Sequence, residues 1–472
     1  MKVLFATSEA RPFAASGGLA DVSGGLPKAL RSRMVGCRVI MPLYKTISPD
    51  LRSQIQFITS FGVDLGWRRQ HCGLFEAVVD GVHYYFIDNE YYFYRDNLYG
   101  YYDDAERFAY FSKAVLEAVL YMDYAPDIIH CNDWQTALIP VYLNAYYRAG
   151  DKFKNLKTVF TIHNIQFQGK YGLDLAGDVL GIPDYMNNVV EYDGCVNFMK
   201  GAIEAADRVN TVSPTYAEEI LDPWYSFGMD RFLRERQYKL SGILNGIDTV
   251  EYNPQTDKAI YANFSAAAPE GKHINKRGLL EEYHLSAEGD KPLIGFVSRL
   301  TSQKGIDLIE YVFHEMIGAG MQFIALGSGD KEYEDFLWSM KAQYPDDVAV
   351  ITGFRPDIAK RIYAGADIFL MPSKTEPCGL AQMVALRYGT IPVVRKTGGL
   401  KDSITDYGEG EGNGFTFATY NAHDMLGAIL RAQGLYYGDR EAWNRLVKKA
   451  LNEDFSWSVS AAKYKELYKS IL

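Results

Sequence analysis

Short runs of apolar, often β-branched residues alternate along the chain with helix-length segments whose apolar positions recur every three or four residues. Because these runs are apolar throughout rather than at every second position, they predict strands buried on both faces, as in parallel sheets. In the first half they fall at 3–6, 38–41, 127–130, 158–162 and 208–212, and in the second at 293–297, 322–326, 348–352, 368–371 and 391–394. Two doubly wound α/β domains follow. The turn signals Asn245-Gly246 and Asn253-Pro254 separate the series,. They divide the chain into an N-terminal Rossmann-like domain over 1–243 and a C-terminal one over 244–454. The last segment, 455–472, has helix spacing and no following strand, and predicts a helix that packs back on the N-terminal domain. A length of 472 residues also exceeds what one hydrophobic core usually holds,. Two domains imply a central cleft.

Doubly wound sheets bind ligands beyond the carboxyl ends of their strands, so the polar and glycine residues there are the candidates for chemistry. After the first strand comes Ser16-Gly17-Gly18-Leu19, followed by apolar Leu19, Val22, Leu26 and Leu30 at helix spacing, with Pro27 predicting a kink,. Gly17 and Gly18 at a helix start let backbone amides approach an anion, although a plain tight turn fits the same residues. After 293–297 stand Arg299 and Lys304, two cations suited to a diphosphate that gains charge as a sugar bond breaks. Gly327-Ser328-Gly329 follows 322–326, but Glu332 occupies the third glycine position of a dinucleotide loop,. Gly327 is therefore expected in a close-approach loop beside phosphate or sugar. After 368–371 come Glu376, Cys378, Gly379 and Leu380, a carboxylate for sugar hydroxyls ahead of a helix start for phosphate. Asp133-Trp134 and His163-Asn164 follow neighbouring strands of the first half and are expected to contact a donor sugar. No Ser-His-Asp order or His-Glu-x-x-His spacing supports hydrolysis by those devices.

Composition narrows the partners. Lys and Arg total 49 against 59 Asp and Glu, a net charge of −10, which lacks the basic footprint of nucleic-acid binders,. No apolar run approaches the roughly 18 residues of a membrane span, and residues 2–6 are too short for a signal segment. Five scattered cysteines suit reduced thiols in a cytoplasm,. Among 35 tyrosines, Tyr91, Tyr94 and Tyr99 lie in one cluster whose flat rings could meet an acceptor sugar, or could simply edge a core,.

Together these stretches resemble the bacterial glycogen synthase and plant starch synthase family of ADP-glucose type, over nearly the whole chain. The likeness rests on Ser8-Glu9, Gly17-Gly18-Leu19, Asn132-Asp133-Trp134, Thr161-Ile162-His163-Asn164, Leu244-Asn245-Gly246, Gln303-Lys304-Gly305, Glu376-Pro377-Cys378-Gly379-Leu380 and Thr397-Gly398-Gly399-Leu400. The resemblance implies the GT-B architecture and retaining transfer of glucose from ADP-glucose, with UDP-glucose as the alternative donor. The acceptor would be glycogen or a malto-oligosaccharide primer. It implies no metal ion and no cofactor. By the same resemblance Arg299 and Lys304 hold the distal phosphate, Glu376 binds glucose hydroxyls, Asp133 and His163 line the donor-sugar pocket, and Asn245 sits near the leaving phosphate. One departure stands out: Ala15 occupies the position where the family usually has lysine. A silent glucan-binding protein, a sucrose-type synthase and a phosphorylase are the competing readings.

Overall fold

The computed structural model describes residues 1–472, which pack as two units. Unit 1 comprises Met1–Gly246 with Trp457–Leu472, and unit 2 comprises Ile247–Ser456. The divisions, after residues 246 and 456, fall a few residues beyond the bounds at 243 and 454 read from the sequence.

Unit 1 is built on β1 (Lys2–Ala6), β2 (Gly36–Pro42), β3 (Gln56–Leu65), β4 (Arg68–Val79), β5 (Val82–Asp88), β6 (Ile128–Asn132) and β7 (Lys157–Ile162). Three short strands, β8 (Lys170–Tyr171), β9 (Glu191–Tyr192) and β10 (Cys195–Asn197), form a separate antiparallel sheet, and β11 (Arg208–Thr211) and β12 (Leu240–Gly242) return to the main one. The main sheet has the order β12-β11-β7-β6-β1-β2-β5-β4-β3. Its first seven strands pair in parallel, and the central ones, β7, β6, β1 and β2, are almost wholly buried, as their largely apolar runs require. The β3-β4-β5 edge is antiparallel and lies outside the buried-strand pattern. Asp80-Gly81, both with positive φ, closes β4 onto β5 in the two-residue turn whose twist suits a hairpin,.

The helix Gly18–Ser32 buries Leu19, Val22, Leu26 and Leu30 and runs continuously through Pro27, where the sequence suggests a kink. Against it packs the terminal helix Trp457–Lys469. A Cβ on Gly25 would stand 2.1 Å from Trp457 Nε1, so only glycine allows this approach,. Further along, Tyr464 and Tyr468 are fully buried, and their hydroxyls meet Asn210 Nδ2 at 3.0 Å and His130 Nδ1 at 2.7 Å.

Unit 2 holds one wholly parallel sheet of β13 (Leu293–Val297), β14 (Gln322–Gly327), β15 (Val348–Thr352), β16 (Ile368–Met371), β17 (Ile391–Arg395) and β18 (Phe415–Phe417). The order β15-β14-β13-β16-β17-β18 is that of a dinucleotide-binding fold, with its switch point between β13 and β16,. In unit 1 the corresponding reversal lies between β1 and β6. These two points locate the sites.

Candidate active site

At the switch point of unit 2 the loop after β13 carries Arg299 and Lys304, and the loop after β16 carries Glu376. Gly305, at φ 78°, turns the first loop into the helix Ile306–Gly318, and a Cβ there would meet the Pro372 carbonyl oxygen at 2.2 Å. The two loops are thereby pressed together. Lys304 Nζ donates to Glu376 Oε2 at 2.6 Å, and Ser373 Oγ donates to the same oxygen at 3.0 Å. Glu376 is buried. Arg299 is exposed and forms no ion pair. Sequence spacing brings the two cations together, whereas the structure neutralises one and leaves the other open.

The backbone beneath Glu376 is clamped from the next strand. Gly399 N–H donates to the Glu376 carbonyl at 3.1 Å, and Arg395 Nε donates to the Ser373 carbonyl at 3.0 Å. Cβ atoms on Gly398 and Gly399 would collide with the backbone of Glu376 and Cys378, which explains both glycines,. Buried Gln382 donates from Nε2 to the carbonyls of Cys378 and Gly379, holding the turn at Gly379 and Leu380 ahead of the helix Ala381–Arg387. None of the five cysteines is in a disulfide.

Gly327 makes a close backbone approach, as its place at the end of β14 suggests. A Cβ on Gly327 would lie 1.9 Å from the Ser298 carbonyl oxygen, and one on Gly329 would lie 2.2 Å from that of Leu300. These glycines let the loop after β14 bridge to the loop that carries Arg299.

At the switch point of unit 1 stand Glu9, after β1, and Asp133, after β6. Glu9 is almost wholly buried and has no cation beside it. Its Oε2 instead accepts the Ser16 amide at 2.5 Å, and Gly17 N–H supports the same carboxylate. Burial raises its pKa despite these bonds,. The glycine loop proposed for a phosphate therefore already carries an internal anion, while Gly18 faces open space. In the sequence Glu9 appears only as part of Ser8-Glu9, with no role of its own, because its partners are backbone amides that spacing does not reveal. Its position three residues beyond Ala6, the carboxyl end of β1 where ligands bind in such sheets, is the signal that marks it,.

Asp133 adopts φ 56°, a conformation that costs a non-glycine residue energy,. The turn aims its carboxylate at the next strand's loop, where Oδ1 accepts the His163 amide at 2.7 Å. Burial lifts the pKa of Asp133 to about 7; the amides of His163 and Asn164 oppose the rise, and nearby Glu9 adds to it,. His163 is held neutral, its pKa pushed down to about 3 by burial. Asn132 spends its amide protons on the Ala6 and His130 carbonyls, so its Oδ1 accepts from His163 Nε2–H at 2.9 Å. Asn245, at the end of unit 1, is buried with Oδ1 accepting no hydrogen bond. Of the tyrosines, Tyr91 and Tyr94 are exposed, whereas Tyr99 is half-buried with its hydroxyl on Ser8 Oγ at 2.8 Å. No three His, Cys, Asp or Glu side chains cluster as metal ligands, and no helix is long and apolar enough to cross a membrane.

Residues 2–235 match the starch synthase catalytic domain, and residues 283–450 match glycosyl transferases group 1. Glycogen synthase of Geobacillus thermodenitrificans is 50% identical over 476 residues, covering 100% of this chain and 98% of the relative. Glycogen synthase of Bacillus anthracis is 49% identical, with 100% of both chains covered. Among solved structures, the catalytic domain of starch synthase IV from Arabidopsis thaliana, bound to ADP and acarbose, superposes with a TM-score of 0.90 at 36% identity, covering 100% of this chain and 99% of that one. With these likenesses on two parallel-sheet units whose switch points carry the polar clusters, the chain belongs to the glycogen and starch synthase family of GT-B glycosyltransferases.

Proposed function

We propose that this enzyme transfers glucose from ADP-glucose, with retention, to the non-reducing end of an α-1,4-glucan such as glycogen or a malto-oligosaccharide. The observation that carries the reading is the Lys304–Glu376 pair beside unpaired Arg299 at the switch point of unit 2. Arg299 and Lys304 take the distal phosphate, where fixed cations stabilise charge that grows as the leaving group departs. Glu376, oriented by Lys304 and Ser373, binds glucose hydroxyls through its remaining acceptor capacity. Asp133 and neutral His163 contact the donor sugar. Asn245, with its unpartnered Oδ1, lies near the leaving group, and the backbone at Gly18, Cys378, Gly379 and Leu380 contributes donors, the Gly17 amide being taken by Glu9.

In the transfer step the acceptor 4-hydroxyl oxygen bonds to glucose C1 on the face from which ADP leaves. The bond between C1 and the phosphate oxygen breaks, and the hydroxyl proton passes to that oxygen. Engagement of Glu376 by two donors supports its role as a binder of hydroxyls over that of a covalent nucleophile. The similarity to a starch synthase bound to ADP supports ADP-glucose over UDP-glucose. Five cysteines outside disulfides support a cytoplasmic site of action,.

The test is glucose transfer to glycogen with each labelled nucleotide sugar in turn. ADP-glucose is expected to be the better donor, with an α-anomeric linkage in the product. Preference for UDP-glucose, or a β-linked product, overturns the corresponding half of the reading.

A further inference from the structure

The loop that follows β18 reaches back over the switch point of unit 2. Along the sheet β17 and β16 separate β18 from β13, yet half-buried Tyr420 extends from this far loop to the segment that carries Lys304. Its hydroxyl donates to Asp307 Oδ1 at 2.6 Å and approaches the Ser302 carbonyl at 3.0 Å. Ser302 opens the single turn Ser302–Lys304, and Asp307 lies in the first turn of the helix Ile306–Gly318. One phenol therefore grips the segment at both ends, with Lys304 and Gly305 between its two contacts. Burial and the adjacent carboxylate raise the pKa of the phenol, so it keeps the proton it donates,.

The ring is held as well as the hydroxyl. Arg395 and Lys374 each stand 5.8 Å from its centroid, within range of cation–π attraction,. Buried Arg395 also donates from Nη2 to the Lys374 carbonyl at 2.5 Å, beside its bond to the Ser373 carbonyl. On the main chain the next residue, Asn421, caps the helix Ala422–Gly438 by accepting the His423 and Asp424 amides. The turn at 302–304 is tied in its own right to the Glu376 loop, since the Lys374 amide donates to the Gln303 carbonyl at 2.9 Å and Gln303 Nε2 to Thr375 Oγ1 at 3.3 Å. Tyr420 thus joins the loops after β13, β16 and β18.

A lysine ammonium on a flexible stem is placed only as well as the backbone that carries it. We propose that Tyr420 is a positioning residue, which fixes the turn beneath Lys304 so that the ammonium meets the distal phosphate, and so sets how strongly the enzyme prefers a nucleoside diphosphate to a monophosphate. The proposal rests on the reading of Lys304 as a phosphate ligand.

The test is calorimetric titration of the full-length enzyme with ADP and with AMP, using wild type, Tyr420→Phe, Lys304→Gln and the double variant. Tyr420→Phe keeps the ring between its two cations and loses the hydroxyl, so it should weaken ADP about fivefold, the scale of one net hydrogen bond, while AMP changes less than about twofold. If Tyr420 acts through Lys304 the two losses do not add, and the double variant should bind ADP about as well as Lys304→Gln alone. Hydrogen exchange at the amides of 302–307 should quicken in Tyr420→Phe. Unchanged ADP affinity, equal weakening of ADP and AMP, or additive losses in the double variant would overturn the role. A wild type that binds ADP no more tightly than AMP would instead defeat the phosphate reading of Lys304, and unaltered exchange at 302–307 in Tyr420→Phe would separately overturn the grip of the tyrosine on the turn.

Discussion

The two units place different chemistry at the same topological position. In unit 1 the residues flanking the reversal of strand order are two acids, Glu9 and Asp133, whose partners are backbone amides and whose pKa values burial raises. In unit 2 they are a lysine and a glutamate joined as an ion pair, with an unpaired arginine nearby. The first arrangement presents weakly charged acceptors and a neutral imidazole, suited to hydroxyls. The second concentrates fixed charge, suited to phosphate. The shared topology thus sets where ligands bind, and the residues after each strand set what kind of ligand.

The largest expected effect breaks the charged side. Arg299→Ala or Lys304→Gln should lower turnover by about 30- to 1000-fold, the roughly 2–4 kcal/mol of a lost transition-state contact, with much smaller change in primer binding. Lys304→Gln also leaves buried Glu376 with Ser373 alone, so Lys304→Gln combined with Glu376→Gln should be more stable to urea than Lys304→Gln. A single variant that keeps most of its turnover contradicts the phosphate role.

On the acidic side, Asp133→Ala removes the acceptor for the His163 amide and should destabilise unit 1 by about 1–3 kcal/mol. Asp133→Asn keeps an acceptor and tolerates positive φ, and should fold nearly as well as the parent. Urea denaturation distinguishes them; equal stability of the alanine variant would show that the strained carboxylate holds nothing in place.

The pH dependence sharpens the contrast. His130 and His163 have folded pKa values of about 3, below the usual 6.5. Between these values the unfolded chain binds protons that the folded histidines refuse, so their contribution is present above pH 6.5 and is lost as pH falls toward 3. Asp133 runs the other way: with its folded pKa raised to about 7, the folded state binds the extra proton, and stability falls as pH rises from about 4 through 7,. Relative to wild type, Asp133→Asn should therefore gain stability between pH 5 and pH 8. A pH-independent difference would show that the carboxyl titrates normally.

The smallest effect concerns Ala15, exposed beside the loop whose Ser16 amide serves Glu9. Ala15→Lys should lower the donor KM about fivefold, roughly 1 kcal/mol, if the new ammonium reaches phosphate. A wild type inert with both nucleotide sugars beside an active Ala15→Lys would show that the amides, Arg299 and Lys304 do not suffice.

Local sequence determined ten of the thirteen parallel strands of the two sheets, all but β5, β12 and β18, and the loops to inspect, because a strand buried on both faces must be largely apolar and its neighbours in sequence must turn,. The motif residues after β1, β6, β7, β13 and β16 were legible for the same reason. The antiparallel β3-β4-β5 edge, closed at Asp80-Gly81, lay outside that pattern, because it depends on pairings that strand periodicity alone leaves open,. Only tertiary structure decided that Lys304 meets Glu376 across 72 positions, that Glu9 fills the Ser16 and Gly17 amides, and that Gly327 and Gly329 serve backbone packing. It also decided which rings face water, separating half-buried Tyr99 from exposed Tyr91. Periodicity reports whether a residue is buried, but its partner is chosen by the approach of segments distant in the chain, and that information is carried by packing rather than by spacing.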